Sequence, residues 1–156
     1  MSEHASGIPK SVSTSLVILA VLMLLPLFFL LKGPEKGIAV IDGQAHSIVV
    51  ADSPARQYQG LSGKTLKTIG AEGMYFPFPE AQEKTFVMRG MLFALDFLWV
   101  RDGQVVKIDQ NVPPPKGSEQ PITVSSAPER VNGVFEFPAG FVKANGLAVG
   151  DRVQLK

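Results

Sequence analysis

The stretch Thr85–Asn111, TFVMRGMLFALDFLWVRDGQVVKIDQN, constrains this chain more than any other, because its first charged side chains, Arg89 and Asp96, sit inside an otherwise apolar run. An isolated buried charge is costly unless it is paired or hydrogen-bonded, so these two residues invite pairing with each other or with polar groups nearby. If Leu95–Val100 is extended, Leu95, Phe97 and Trp99 share one face while Asp96, Leu98 and Val100 share the other. Both faces are apolar, which predicts a central strand covered on both sides. The turn Asp102-Gly103 and the run Val105–Ile108 complete a hairpin with it.

The rest of the folded region reads as short elements between Gly and Pro punctuation. Ile38–Ile41, the turn Asp42-Gly43 and His46–Val50 predict an opening hairpin. Ser53-Pro54 supplies an N-cap and a proline at the first helical position for a short helix, ARQYQ, that stops near Gly60. Gly60–Gly73 has no sustained period and reads as a loop, and Met74–Phe76 as a short strand ended by Pro77 and Pro79. Gln110–Pro121, with three consecutive prolines, has the composition of a long surface loop. Ile122–Ser125 and Gly133–Phe137 read as strands, Pro138 opens a short helix that Gly146 ends, and Arg152–Leu155 closes the domain. The sum is a single mostly β domain over residues 38–156, either a small partly closed barrel or two packed sheets, with two short helices.

Ahead of that domain, Leu16–Leu31 contains no polar side chain. With Val12 and the small residues before it, the run reaches about 20 residues, enough for a helix to cross roughly 30 Å of hydrocarbon, and lipid tolerates the proline at position 26. This predicts a tail over residues 1–11, a transmembrane anchor over 12–31 and a linker over 32–37. The competing reading is a cleaved signal peptide, but the run ends in Leu30-Leu31-Lys32-Gly33-Pro34 without a small-x-small cleavage site, and no cysteine follows to carry a lipid. Lys10 before the anchor nearly balances Lys32 and Lys36 after it. A brief tail, one anchor and one domain give the expectation of a single-pass cell-membrane protein with its C-terminal domain outside the cytoplasm.

Composition narrows the chemistry. The formal net charge is +1 and the lysines and arginines are scattered, so no nucleic-acid partner is expected. The absence of cysteine excludes a disulfide framework, a thiolate nucleophile and the common structural zinc sites. Two histidines, His4 and His46, do not make a multi-histidine centre. Met74, Met88 and Met91 are the type of ligand that takes Cu(I), but methionine more often fills gaps in a core. Neither a metal nor a cofactor is expected.

The candidate site residues are Arg89, Asp96, Arg56, Glu136, Phe76 and Phe78. Arg89 with Asp96 reads either as a pair that presents a planar fork to a carboxylate or sugar, or as a buried structural ion pair. Glu136, between Phe135 and Phe137, reads either as an acid or base working with Asp96, or as a strand residue facing solvent or an arginine. Arg56 is placed to bond backbone carbonyls of the Gly60 turn or Glu136, and no glycine-rich nest supports a phosphate role. Most aromatics belong to the core, whereas the prolines of Phe76-Pro77-Phe78-Pro79 predict exposed rings there.

From Ala51 to Asp151 the chain resembles the bacterial and archaeal domain-of-unknown-function family 192. The resemblance is carried by Arg56 with Gln59-Gly60-Leu61-Ser62, by Gly73-Met74-Tyr75-Phe76, by Phe86–Val100, by Val134-Phe135-Glu136-Phe137-Pro138-Ala139-Gly140 and by Gly146–Val153. It implies a mainly β fold and an extracytoplasmic location, with no settled reaction. Where the family pattern has tryptophan, lysine, asparagine, threonine and proline, this chain has Val87, Arg89, Gly90, Met91 and Ala94. Lysine to arginine keeps a cation, while the other changes remove two hydrogen-bonding groups. The expectation is a membrane-anchored extracytoplasmic binding or interaction module, touching an envelope protein or polysaccharide through the loops around Phe76–Met91 and the proline-rich loop. The alternative is a small cell-envelope enzyme or enzyme accessory acting on a cell-wall polymer through Asp96, Glu136 and Arg89, and a third reading is a purely structural envelope protein.

Overall fold

The computed structural model describes Ile18, Leu19, Gly33 and residues 35–117 and 119–156. The chain divides into two compact units between Gly33 and Pro34. In the first, Ile18 and Leu19 are helical, and the rest of the expected tail and anchor lies outside the described residues. Among the described residues no helix is long and apolar enough to cross a membrane.

The second unit runs β1 (Glu35–Ile41), β2 (Gln44–Val50), α1 (Pro54–Gln59), α2 (Leu66–Ile69), β3 (Gly73–Gln82), β4 (Thr85–Val87), β5 (Leu95–Arg101), β6 (Gln104–Val112), β7 (Thr123–Ser125), β8 (Val131–Pro138), α3 (Phe141–Asn145) and β9 (Val153–Leu155). Seven strands form one sheet in the order β6-β5-β8-β3-β2-β1-β9, and β4 and β7 form a small second sheet. Neighbours are antiparallel except β2 and β3, whose parallel pairing requires a crossover. Helices α1 and α2 provide it. The two edge strands of the large sheet curl toward each other: Gln104 bridges Arg152, and Val105 N donates to the Asp151 carbonyl at 2.9 Å. The result is a curled half-barrel, so of the two expected architectures the partly closed barrel is the nearer.

Strand β5 lies between β6 and β8, buried on both faces as its alternation predicts. Leu98 and Val100 join Ile41, Phe135, Phe137 and Val142 in one cluster, which also takes Val105 and Val153 from the two edge strands and therefore fills the concave side. Leu95, Phe97 and Trp99 join Phe76, Met88 and Val134 in a second cluster on the opposite face, with Ile69 of α2 and Phe86 and Val124 of the small sheet. Each fully buried large side chain contributes about 1.5–3 kcal/mol through lost apolar surface.

Several details differ from the sequence expectation. Strand β6 runs on through Gln110 to Val112, taking in the first residues of the expected Gln110–Pro121 loop. The domain has three short helices rather than two, because Leu66–Ile69 inside the expected loop forms α2, started by reciprocal Thr65 and Thr68 contacts. Strand β3 does not end at Pro77 but continues to Gln82. Pro77 pairs with Gly133 and the register then shifts before Gln82 meets Val131, so the prolines fall where the ladder is irregular and a missing N–H is tolerated. Pro138 is the last residue of β8, and α3 starts three residues later at Phe141.

Candidate functional site

The expected Arg89–Asp96 pair does not form. Asp96 is fully buried, and its two carboxyl oxygens accept backbone N–H bonds, Oδ1 from Asn111 at 2.8 Å and Oδ2 from Val142 at 2.9 Å. The first of these serves a bulge. Leu95 faces Val112 but Phe97 faces Asp109, so β6 carries one extra residue there, and Asn111, at φ 55°, presents its N–H to Asp96 instead of to the ladder. The second serves the start of α3, whose N-cap is Gly140 and has no side chain to satisfy the first-turn N–H groups. Asp96 is thus satisfied by backbone, and the cation that the sequence suggested is not needed.

Arg89 is exposed and engages Tyr58 of α1. Its guanidinium carbon lies 4.3 Å from the Tyr58 ring centroid, Nη1 donates to the Tyr58 hydroxyl at 3.1 Å and Nη2 to the Tyr58 carbonyl at 3.3 Å. The backbone beneath is laced to the loop after α1: the Ser62 hydroxyl donates to the Arg89 carbonyl at 2.6 Å, and Gly63 N to the Gly90 carbonyl at 2.8 Å. Gly90 has φ 65° and passes Ser62 closely, which fits the absence of a side chain there.

Glu136 overturns the expectation of a solvent- or arginine-facing carboxylate. In β8, Phe135 and Phe137 point to the concave cluster, so Glu136 points with Val134 to the other face, directly between Met74 of β3 and Phe97 of β5. It is 6% exposed, and its Oε2 is buried without a hydrogen-bond partner. Burial in this apolar row pushes the carboxyl up to about 8, so it is mostly protonated at neutral pH. Asp96 is paired with Phe137, the neighbour of Glu136, and therefore points to the opposite face. The two carboxyls cannot divide acid and base roles across one cleft.

Glu136 lines a cavity of about 320 Å3 together with Phe76, Phe78, Lys84, Phe86 and Arg89, and Tyr58 and Met91 also line it. Four of the six sequence candidates therefore meet here: Arg89, Glu136, Phe76 and Phe78. Phe76 is buried, not exposed as expected, and packs edge-on against Phe86 at 5.0 Å; Phe78 is half-buried, with Lys84 Nζ 3.9 Å from its ring centroid. Arg56 lies elsewhere, pairing with Asp52 and lining a neighbouring depression with Lys64 and Met74. Lys84 and Tyr58 were not singled out in the sequence, since a lysine before a strand and a tyrosine in a short helix carry no motif. Met74, Met88 and Met91 are buried in one apolar cluster, and among the described residues no group of three or more histidine or acidic side chains is placed to hold a metal.

Two crystal structures share this fold. One, from Sinorhizobium meliloti 1021, is described only provisionally as a transcription regulator; it is 27% identical, with a TM-score of 0.68, 80% of this chain and 96% of that chain being covered. The other, a protein of unknown function from Novosphingobium aromaticivorans DSM 12444, is 26% identical, with a TM-score of 0.67, covering 80% of this chain and 88% of that one. No curated protein matches the chain. The sequence model of the uncharacterized family DUF192 matches residues 38–155, most of the chain and nearly all of the half-barrel just described, and the chain belongs to that family.

Proposed function

We propose that this chain is a membrane-anchored binding module whose domain stands outside the cytoplasm and holds a small ligand in the cavity over Glu136. One observation carries the reading: Glu136, whose buried Oε2 has no hydrogen-bond partner, a liability of roughly 1–3 kcal/mol, lines an aromatic-walled cavity. A ligand entering the cavity can supply the partner that such a group lacks. The anchor and the side of the membrane rest on Leu16–Leu31 and the short tail before it. An envelope protein or polysaccharide would meet the same rim. The provisional regulator role of one similar structure gains no support from a chain with a net charge of +1 and scattered cations.

A second reading, a small cell-envelope enzyme or accessory acting on a cell-wall polymer, draws on the same Glu136, since an acid titrating near 8 is suited to proton transfer at neutral pH. Of the other two residues expected for it, Asp96 points to the opposite face, and only Arg89 lines the cavity.

A thermal-shift screen of the full chain in detergent tests the proposal, using cell-wall fragments, oligosaccharides, small carboxylates and small amines. A ligand at a hundred times its Kd adds about 2.7 kcal/mol. A shift that Glu136→Gln or Phe86→Ala diminishes supports the cavity as the site, and turnover of a cell-wall fragment that Glu136→Gln abolishes moves the assignment to the enzyme. No shift with any class rejects the binding module.

A further inference from the structure

We propose that the cavity over Glu136 takes a small organic anion: its carboxylate meets Arg89 and Lys84, its apolar body lies on Phe76 and Phe86, and its inner end offers a hydrogen-bond acceptor to the Glu136 carboxyl. This inference rests on the cavity's being the ligand site. Its first support is the charge at the rim. The ion pairs among the described residues are His46–Glu72, Arg56–Asp52, Arg101–Glu129 and Lys107–Asp109, so neither Lys84 nor Arg89 has a carboxylate partner. Both are held on aromatic faces instead, Lys84 on Phe78 and Arg89 on Tyr58, which positions a cation without neutralising it. Arg89 spends two of its N–H donors on Tyr58 and keeps the rest of its planar fork for a ligand.

The floor supplies the second half of the recognition. Glu136 has Met74 and Phe97 beside it in the sheet, neither of which offers a charge or a strong hydrogen bond, and the titratable groups that line the cavity with it are Tyr58, Lys84 and Arg89. Burial without a partner keeps this carboxyl as the acid, which has an O–H to donate. A carbonyl or hydroxyl oxygen at the inner end of the ligand accepts that bond. A ligand entering with an ammonium group would first have to pass two unneutralised cations. At about 320 Å3 the space lies at the lower end of the roughly 300–1,000 Å3 range of small-molecule sites, which suits a compact ligand better than a polymer segment.

Isothermal titration of the full chain in lipid nanodiscs, with empty discs as the blank, decides the ligand class. Four probes of similar shape serve: 4-acetylbenzoate, 4-isopropylbenzoate without the inner acceptor, neutral 4-acetylbenzamide, and 4-(aminomethyl)benzoate with an inner ammonium. 4-Acetylbenzoate is expected to bind tightest, and Arg89→Ala and Lys84→Ala each to weaken it by about tenfold, as the loss of a charge-assisted bond does. Its affinity should fall as pH rises through about 8, where Glu136 ionises, and stay flat in Glu136→Gln, whose amide still donates. Equal or tighter binding of 4-isopropylbenzoate or the aminomethyl compound overturns the inner acceptor, and equal or tighter binding of the amide, or unchanged affinity in both cation variants, overturns the anion. Failure of all four probes overturns it too; a hit of another class in the thermal-shift screen that Glu136→Gln weakens then leaves the cavity standing, whereas the absence of any hit removes both.

Discussion

At the scale of single residues, two carboxyls in neighbouring strands reach opposite solutions to burial. Asp96 is surrounded by backbone donors and is fully satisfied, while Glu136, on the other face, retains an oxygen with no partner. That difference has a measurable consequence in pH. With its carboxyl raised to about 8 in the fold, Glu136 keeps a proton that the unfolded chain has released above the ordinary carboxylate range, so the folded state binds more protons in between. Stability therefore falls as pH rises across that window, by up to about 1.4 kcal/mol per unit, is fully present below it and levels off above about 8. Urea unfolding at a series of pH values, followed by the fluorescence of Trp99, the single tryptophan, should show this slope in the parent and its loss in Glu136→Gln. Burial of Asp96 was legible from its place in an apolar run; its partners were not, because backbone N–H groups of a bulge and a helix start leave no mark in side-chain identity.

At the scale of elements, Asp96 is a tie. It fastens the β6 bulge and the first turn of α3 to β5. Asp96→Asn turns one of its two oxygens into a donor that faces another donor, so the substitution should cost about 1–3 kcal/mol in urea unfolding, whereas Arg89→Ala, on an exposed side chain, should stay within about 0.5 kcal/mol. Comparable losses in the two variants would restore the ion-pair reading. Alternation at Leu95–Val100 identified the central strand because both faces of its pleat are apolar, and Asp102-Gly103 identified its hairpin because both residues adopt positive φ, 51° and 77°. The prolines after Phe76 misled, since a strand of ten residues absorbs them through a register shift that only the partner strand reveals.

At the scale of the whole molecule, the division between Gly33 and Pro34 separates the apolar N-terminal region from the half-barrel. If the anchor is the link to the membrane, the full chain should sediment with membranes and resist carbonate extraction. A form beginning at Pro34 should stay in the supernatant with an unchanged urea midpoint, and soluble behaviour of the full chain would reject the anchor. Closure of the half-barrel at Gln104 and Arg152 joins residues 48 positions apart and brings β9 against the β5–β6 hairpin. By itself, the sequence determined the strand-rich class, the hairpins, the capped helix after Ser53 and the burial of the central strand, because periodicity, turn residues and caps act over a few neighbouring positions. Only the tertiary structure decided that Glu136 rather than Asp96 lines a cavity, and that Arg89 and Lys84 line it too. A one-residue step along a strand reverses which face a side chain meets, and the groups that meet there come from segments dozens of residues apart.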